Sequence, residues 1–207
     1  MELESKQQIV ERQLHIYNMY SDRLKDIIAF LEIEFRGHPL PVLDDIRGLH
    51  DLMAACFDPD IRKYEGEEAV NDLLDWAEDT YAYAVAKCYN GAVYKYGKRV
   101  AWRYRWTELF CSIKSVTDGD FYKKYQDLKK HAADKLKEAD GFFDTEFFAD
   151  AYEPYKGALD CLVSMDRLYD DHLQRINRAV WKGVLKRFGI AFVAILILVT
   201  ILIKFFG

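Results

Sequence analysis

Apolar residues recur along most of the chain at steps of three, four and seven positions. This period predicts amphipathic α-helices, each with one apolar face that needs a partner. The first predicted helix covers Glu2–Phe35 and is stopped by Gly37 to Pro41. Further helices are predicted, separated by breaks rich in Pro, Gly and Asp, over Val42–Phe57, Gly66–Tyr96, Lys98–Val116 and Phe121–Ala139.

A last helical stretch is predicted from near Asp144, with a bend at Pro154. No further breaker follows, so from Tyr155 this helix is expected to run unbroken towards the C-terminus. The apolar–polar alternation of a half-buried strand is sustained nowhere. The predicted fold class is therefore all-α, a helical bundle.

The final segment is the most apolar part of the chain. Phe188 to Ile203 contains no charged residue, and Lys204 is the only one after it. A helix over Phe188–Phe206 would be about 28 Å long, close to the thickness of the hydrocarbon core. We therefore expect one transmembrane helix, with Phe188, Ile203 and Lys204 among its anchoring residues. The alternative is a C-terminal helix buried in a globular domain.

This interpretation divides the chain into a helical bundle over residues 1–182 and a juxtamembrane segment with its span over 183–207. Five basic residues precede the span, Arg175, Arg178, Lys182, Lys186 and Arg187. Because basic residues are retained on the cytoplasmic side, the body is expected to face the cytoplasm. The N-terminus lacks the pattern of a signal peptide. We thus predict a single-pass, tail-anchored protein with the lipid bilayer as a partner, in the inner membrane if the source is bacterial.

Composition argues against several classes of function. The net charge is −5, which does not favour a bulk nucleic-acid binder. Four widely spaced cysteines, Cys56, Cys88, Cys111 and Cys161, form no Cys-x-x-Cys pair and are expected to be core residues. No phosphate-binding loop, metal cluster or nucleotide fingerprint is present, so neither a cofactor nor a metal is predicted.

The predicted last helix contains Arg167 and His172, an Arg-x4-His arrangement. A histidine can transfer the proton of a ribose hydroxyl, and an arginine can hold a phosphate through two hydrogen bonds. These two residues are therefore the candidate catalytic pair. In the alternative interpretation, Arg167–Asp171 and Asp171–Arg175 form a surface ladder of ion pairs at i,i+4 spacing.

With its helical content and its late Arg-x4-His motif, the chain resembles HEPN domains. That resemblance implies a dimerising helical bundle in which Arg167 and His172 of both copies cut RNA without metal. Leu168 stands where the family often has a polar residue after the arginine. Together with the predicted span, the motif is similar to divergent HEPN membrane accessory proteins of RNA-targeting (type VI) CRISPR systems.

A second candidate is the stretch from Tyr94 to Trp106, in which basic and aromatic residues interleave. Such interleaving is typical of surfaces that stack on RNA bases or rest on anionic headgroups. The candidate contact residues are Lys95, Arg99, Trp102, Arg103, Arg105 and Trp106. Alternatively, the aromatic side chains belong to the core and the arginines extend past them to solvent.

A third candidate is a repeat at seven-residue steps, Leu162, Tyr169, Ile176 and Gly183. This repeat could be a seam for self-association, or it could pack against the chain's own first helix. The expected function that follows is a membrane-anchored antiviral-defence accessory protein, which forms homo-oligomers and permeabilises the membrane when a partner RNA-guided nuclease is active. The alternatives are a membrane-tethered, metal-independent endoribonuclease and a tail-anchored adaptor without enzymatic activity.

Overall fold

The computed structural model describes residues 2–36, 40–58, 60–61, 66–117 and 119–206. For residues 2–5, 20–21, 40–41, 66–67, 191, 194 and 198–206, the backbone alone is described. Every element with a regular hydrogen-bond pattern in these ranges is helical, so the all-α prediction is confirmed. The helices are α1 (Glu2–Met19), α2 (Lys25–Phe35), α3 (Leu40–Ala55), α4 (Gly66–Phe110), α5 (Ile113–Val116), α6 (Gly119–Asp144), α7 (Phe148–Asp171) and α8 (Leu173–Phe206).

The chain forms two compact units. Unit 1 contains residues 1–95 and 132–160, and unit 2 contains residues 96–131 and 161–207. The helices α4, α6 and α7 therefore each contribute one part to each unit. The boundary predicted between residues 182 and 183 falls within α8, in unit 2.

Unit 1 buries the apolar face that the sequence predicted for the first helix. Ile16, Leu24 and Ile27 are almost completely inaccessible to solvent. Between α1 and α2, residues Tyr20–Leu24 form one π-helical turn. The phenol of Tyr81 on α4 donates a hydrogen bond of 2.7 Å to the carbonyl of Met19, at the start of that turn. Burial of this apolar face stabilises the unit.

Unit 2 has its own buried core. It is built from the second part of α4, α5, the first part of α6, the second part of α7 and α8. Its most buried large side chains are Ile113, Phe121 and Ile176, each at most 1% exposed. The ring of Tyr125 on α6 stacks on Tyr104 of α4, with centroids 4.6 Å apart. These contacts position the polar side chains described below.

Several helix boundaries differ from those predicted. The helix α4 continues through Gly97, where a Cβ would lie in ordinary contact at 3.6 Å from Leu162 Cδ1. The helix α6 passes Gly141 and ends only at Asp144. By contrast, α7 and α8 are separated by a turn at His172, although the sequence predicted an unbroken helix there. Both helices thus continue through a glycine despite its low helix propensity.

The prediction of a transmembrane helix over Phe188–Phe206 is wrong. In the part of the chain that the structure describes, no helix is at once long enough and apolar enough to cross a bilayer. The side chains of Ile203 and Lys204 lie outside the described residues. The predictions of a single-pass, tail-anchored protein with a cytoplasmic body and an inner-membrane location depended on this transmembrane helix, so they are wrong as well.

Candidate functional site

Arg167 and His172 do not share one face of α7. Five residues of α-helix correspond to a rotation of about 140°, and the helix ends between the two positions. Arg167 is exposed, whereas the ring of His172 is half-buried and packs edge-on against Phe121 at 4.8 Å between centroids. The Nδ1 of His172 lies 3.1 Å from the carbonyl of Leu168. The structure therefore places the two motif residues apart in one chain, and a catalytic role stays a prediction.

Arg167 instead lines a groove between α6 and α7, within unit 2. The groove has a volume of about 510 Å³, and its lining residues are Lys124, Asp127, Leu128, His131, Ser164, Arg167, Leu168 and Asp171. Two cationic and two anionic side chains line it, so it carries no net charge. A phosphodiester chain would meet both carboxylates as well as both cations, which does not favour RNA here.

The ion-pair ladder considered for this helix is not formed. Arg167, Asp171 and Arg175 make no ion pair with one another in the structure, although their i,i+4 spacing permits it. Among the described residues, no group of three or more His, Cys, Asp and Glu side chains could hold a metal ion.

The strongest polar cluster of unit 2 surrounds Asp166, which is only 3% exposed. Its Oδ1 accepts a hydrogen bond from the guanidinium of Arg103, and its Oδ2 accepts one of 3.0 Å from the phenol of Tyr96. Arg99 forms an ion pair with the same Oδ2 at 3.2 Å. Arg103 also donates to the more exposed Asp170. A buried carboxylate needs such partners, because its charge is otherwise costly to remove from water.

The cluster continues along the interface between α4 and α7. The guanidinium of Arg103 lies over the ring of Tyr169, 4.4 Å from its centroid. Thr107 donates to the carbonyl of Arg103 at 3.0 Å, so its hydroxyl oxygen accepts the hydrogen bond from Tyr169. Nearby, burial raises the pKa of Tyr104 to about 12. The cluster thus fastens α7 to α4 through contacts that are all inside unit 2.

The predicted contact residues are consequently divided among different environments. Arg99 and Arg103 are ion-paired within the chain, and Lys95 in unit 1 lies 5.5 Å from the ring centroid of Phe35. The remaining three, Trp102, Arg105 and Trp106, are exposed. The two indole rings stack at 5.8 Å between centroids. Contact with RNA or another partner stays a prediction for these side chains.

The seven-residue repeat of Leu162, Tyr169, Ile176 and Gly183 is an internal packing stripe. Tyr169 and Ile176 are buried in unit 2. At Gly183 the backbone of α8 approaches Phe110 so closely that an added Cβ would overlap the Phe110 carbonyl oxygen. The partner of this stripe is therefore α4 and its neighbours in unit 2. The first helix, which was the predicted intramolecular partner, belongs to unit 1.

The opposite face of α8 carries a second regular stripe, and it is exposed. Its members follow one another at steps of four, three, four and three residues: Trp181 (67% exposed), Leu185 (67%), Phe188 (70%), Phe192 (63%) and Ile195 (59%). This spacing is the seam of a coiled coil. We call these five residues the outer stripe. This exposed surface is the candidate functional site.

Sequence reasoning missed this surface although its signal was present. The outer stripe overlaps the apolar tail, and the sequence interpretation assigned the whole tail to lipid. A heptad analysis restricted to residues 181–195 would have found the stripe.

Comparison of the chain with models of protein families, with curated proteins and with solved structures finds no match to any of them. The resemblance to HEPN membrane accessory proteins of RNA-targeting CRISPR systems is therefore wrong. Its two components fail separately, because no family model supports the motif and no described helix provides the span. The chain is characterised by its own geometry, an all-α protein with an outer stripe on α8.

Proposed function

We propose that this chain is a self-assembling helical protein, in which α8 joins one copy to another through the outer stripe. The observation that carries the proposal is the exposure of five large apolar side chains at coiled-coil spacing. Contiguous apolar surface of this extent is uncommon on monomers and marks interaction sites. The heptad spacing specifies the partner as another helix.

The area of the stripe supports a second copy of the chain as that helix. Large apolar side chains bury roughly 150–250 Å² each, so five of them exposed by about two-thirds offer roughly 600 Å². Two copies then bury roughly 1,200 Å² together, the lower limit for a specific stable interface. Because an identical helix presents the same stripe, the interface closes on itself with twofold symmetry.

The charges beside the stripe favour an antiparallel pair. Three cations flank the first half of the stripe, namely Lys182, Lys186 and Arg187. From Phe188 to Ile203, which includes the second half of the stripe, there is no charged residue. In a parallel pair these cations would lie side by side, which is destabilising. In an antiparallel pair they lie at opposite ends, and Phe188 faces Phe188 of the second copy.

Beyond Gly189 the other side of α8 is also apolar. Ile190, Val193 and Ile197 are exposed by 54–61% on the face opposite the outer stripe. A helix that is apolar on all sides is normally buried on all sides. Association therefore need not stop at two copies.

Sedimentation equilibrium of the full chain tests the proposal. We expect a mass of at least twice the 24.3 kDa of one chain at micromolar concentration. The double variant Leu185→Glu/Phe188→Glu should be monomeric, because four charges would be buried in each pair. The control, Ile33→Glu/Trp76→Glu, alters equally exposed apolar residues of unit 1 and should associate like the parent. A parent chain that stays monomeric at all concentrations, or a control that dissociates equally, contradicts the proposal.

A further inference from the structure

Unit 1 contains a small cavity next to the π-helical turn of Tyr20–Leu24. Its volume is about 110 Å³. The walls combine apolar side chains with one cation and one anion, and include Met19, Arg23, Glu78, Val85, Phe148 and Tyr152. All of these residues belong to unit 1. The cavity is independent of the outer stripe, which lies in unit 2.

The π-helical turn is a distinctive feature of this wall. A single π-helical turn inserted between α-helices is uncommon and is frequently found at functional sites. Here the turn carries Arg23 and is fixed at its start by the hydrogen bond from Tyr81 to the Met19 carbonyl. Since the hydroxyl of Tyr81 donates to the backbone, it cannot donate the same proton to a ligand.

The two charged residues of the cavity have different surroundings. Glu78 lies 3.3 Å from the guanidinium of Arg12, which also pairs with Asp75. Arg23 lies over the ring of Tyr152, 4.7 Å from its centroid. With the residues that the structure describes, Arg23 forms neither a hydrogen bond nor an ion pair. The cavity therefore presents the guanidinium of Arg23, whose N–H groups donate to none of the described residues, beside an apolar space.

Size and charge together define the ligand. An apolar cavity of about 150 Å³ accepts benzene, which has six heavy atoms. A cavity of about 110 Å³ accordingly accepts an apolar group of three or four carbon atoms. An arginine that is held on an aromatic face can bind a carboxylate through two parallel hydrogen bonds.

We propose that this cavity binds a short-chain monocarboxylate of the size of butyrate or pentanoate. The carboxylate pairs with the guanidinium of Arg23, and the hydrocarbon chain lies between Val85 and Phe148. A ligand of about six heavy atoms can supply only a limited free energy, so we expect a dissociation constant in the millimolar range.

Titration of the full chain with butyrate, followed by NMR of the isotopically labelled protein, tests this site. Butyrate should shift signals of Arg23, Val85 and Phe148, and the uncharged isostere butyramide should bind at least about tenfold more weakly, the loss of roughly one charge-assisted hydrogen bond. Arg23→Gln should weaken butyrate binding by a similar factor. Ala82→Leu fills the cavity from α4 and should abolish binding while leaving Arg23 in place.

The control variant Arg47→Gln removes an exposed arginine of α3 in the same unit and should bind butyrate like the parent. Equal binding of butyrate and butyramide overturns the proposal, and so does butyrate binding that survives both Arg23→Gln and Ala82→Leu. Far-UV circular dichroism of each variant verifies that unit 1 is folded, so that lost binding is not mistaken for unfolding.

Discussion

The clearest energetic consequence of the structure concerns two aspartates that share one arginine. Arg103 donates to Asp166, whose side chain is 4% exposed, and to Asp170, whose side chain is 52% exposed. Asp166→Asn and Asp170→Asn make the same chemical change at these two ends of Arg103. The comparison therefore isolates the effect of burial.

Asp166→Asn should destabilise unit 2 by about 3 kcal/mol, at the lower end of the cost of breaking a buried ion pair. The lower end applies because the side chains of Arg103 and Arg99 are 21% and 42% exposed, and water partly compensates their charges. The asparagine amide would also point a donor towards a donor. Asp170→Asn should cost less than about 1 kcal/mol, as is usual for exposed pairs.

Urea unfolding followed by tryptophan fluorescence measures both values. Three of the four tryptophans, Trp102, Trp106 and Trp181, belong to unit 2, so the signal reports mainly on that unit. With an m value of about 3 kcal/mol per M, Asp166→Asn should lower the midpoint by about 1 M. All samples need one protein concentration, since association contributes to apparent stability. Equal losses for both variants would refute the assignment of Asp166 as the buried centre of the cluster.

Two further predictions follow from unit 2. Gly183→Ala should destabilise the chain by at least about 2 kcal/mol, because the added Cβ would also lie 2.9 Å from the Phe110 carbonyl carbon. Gly189→Ala on the same helix meets no neighbouring atom and should be neutral or stabilising by up to about 1 kcal/mol. Thermal unfolding of both variants distinguishes them, and equal effects would contradict the close approach of α8 to α4. Burial raises the pKa of Tyr104 to about 12, so its neutral form stabilises the fold below pH 10, and this contribution is lost as pH rises through 12. The tyrosinate absorbance of the folded chain should therefore show a late-titrating class that Tyr104→Phe reduces, and a single transition near pH 10 would contradict it.

The all-α class and the existence of the main helices could be predicted because their apolar residues recur with the helical period. Their ends could not always be predicted, because tertiary contacts override local signals. Gly97 lies within α4 rather than at a break, whereas the turn at His172 has no glycine or proline to announce it. The local sequence alone therefore predicts neither the continuation of α4 through Gly97 nor the turn at His172.

The polar cluster around Asp166 and the outer stripe were predictable only in part, for a related reason. Arg99, Arg103 and Asp166 are charged residues, which in a single sequence are expected at the surface. The two arginines meet the buried Asp166 only because α4 and α7 pack together, and these residues are more than sixty positions apart in the chain. The outer stripe was visible as an apolar pattern, yet its exposure depends on which face of α8 packs against Phe110 at Gly183.

The measurement that most directly tests the assembly is disulfide formation by single cysteines placed on α8, compared with the parent chain under the same mild oxidation. An antiparallel pair brings Phe188 of two copies together, so Phe188→Cys should give a covalent dimer. Trp181→Cys should not, since its counterpart would lie about 21 Å away along the helix. Efficient cross-linking of Trp181→Cys without Phe188→Cys, or no cross-linking beyond the parent at either position, would contradict the outer stripe as the surface that joins two copies.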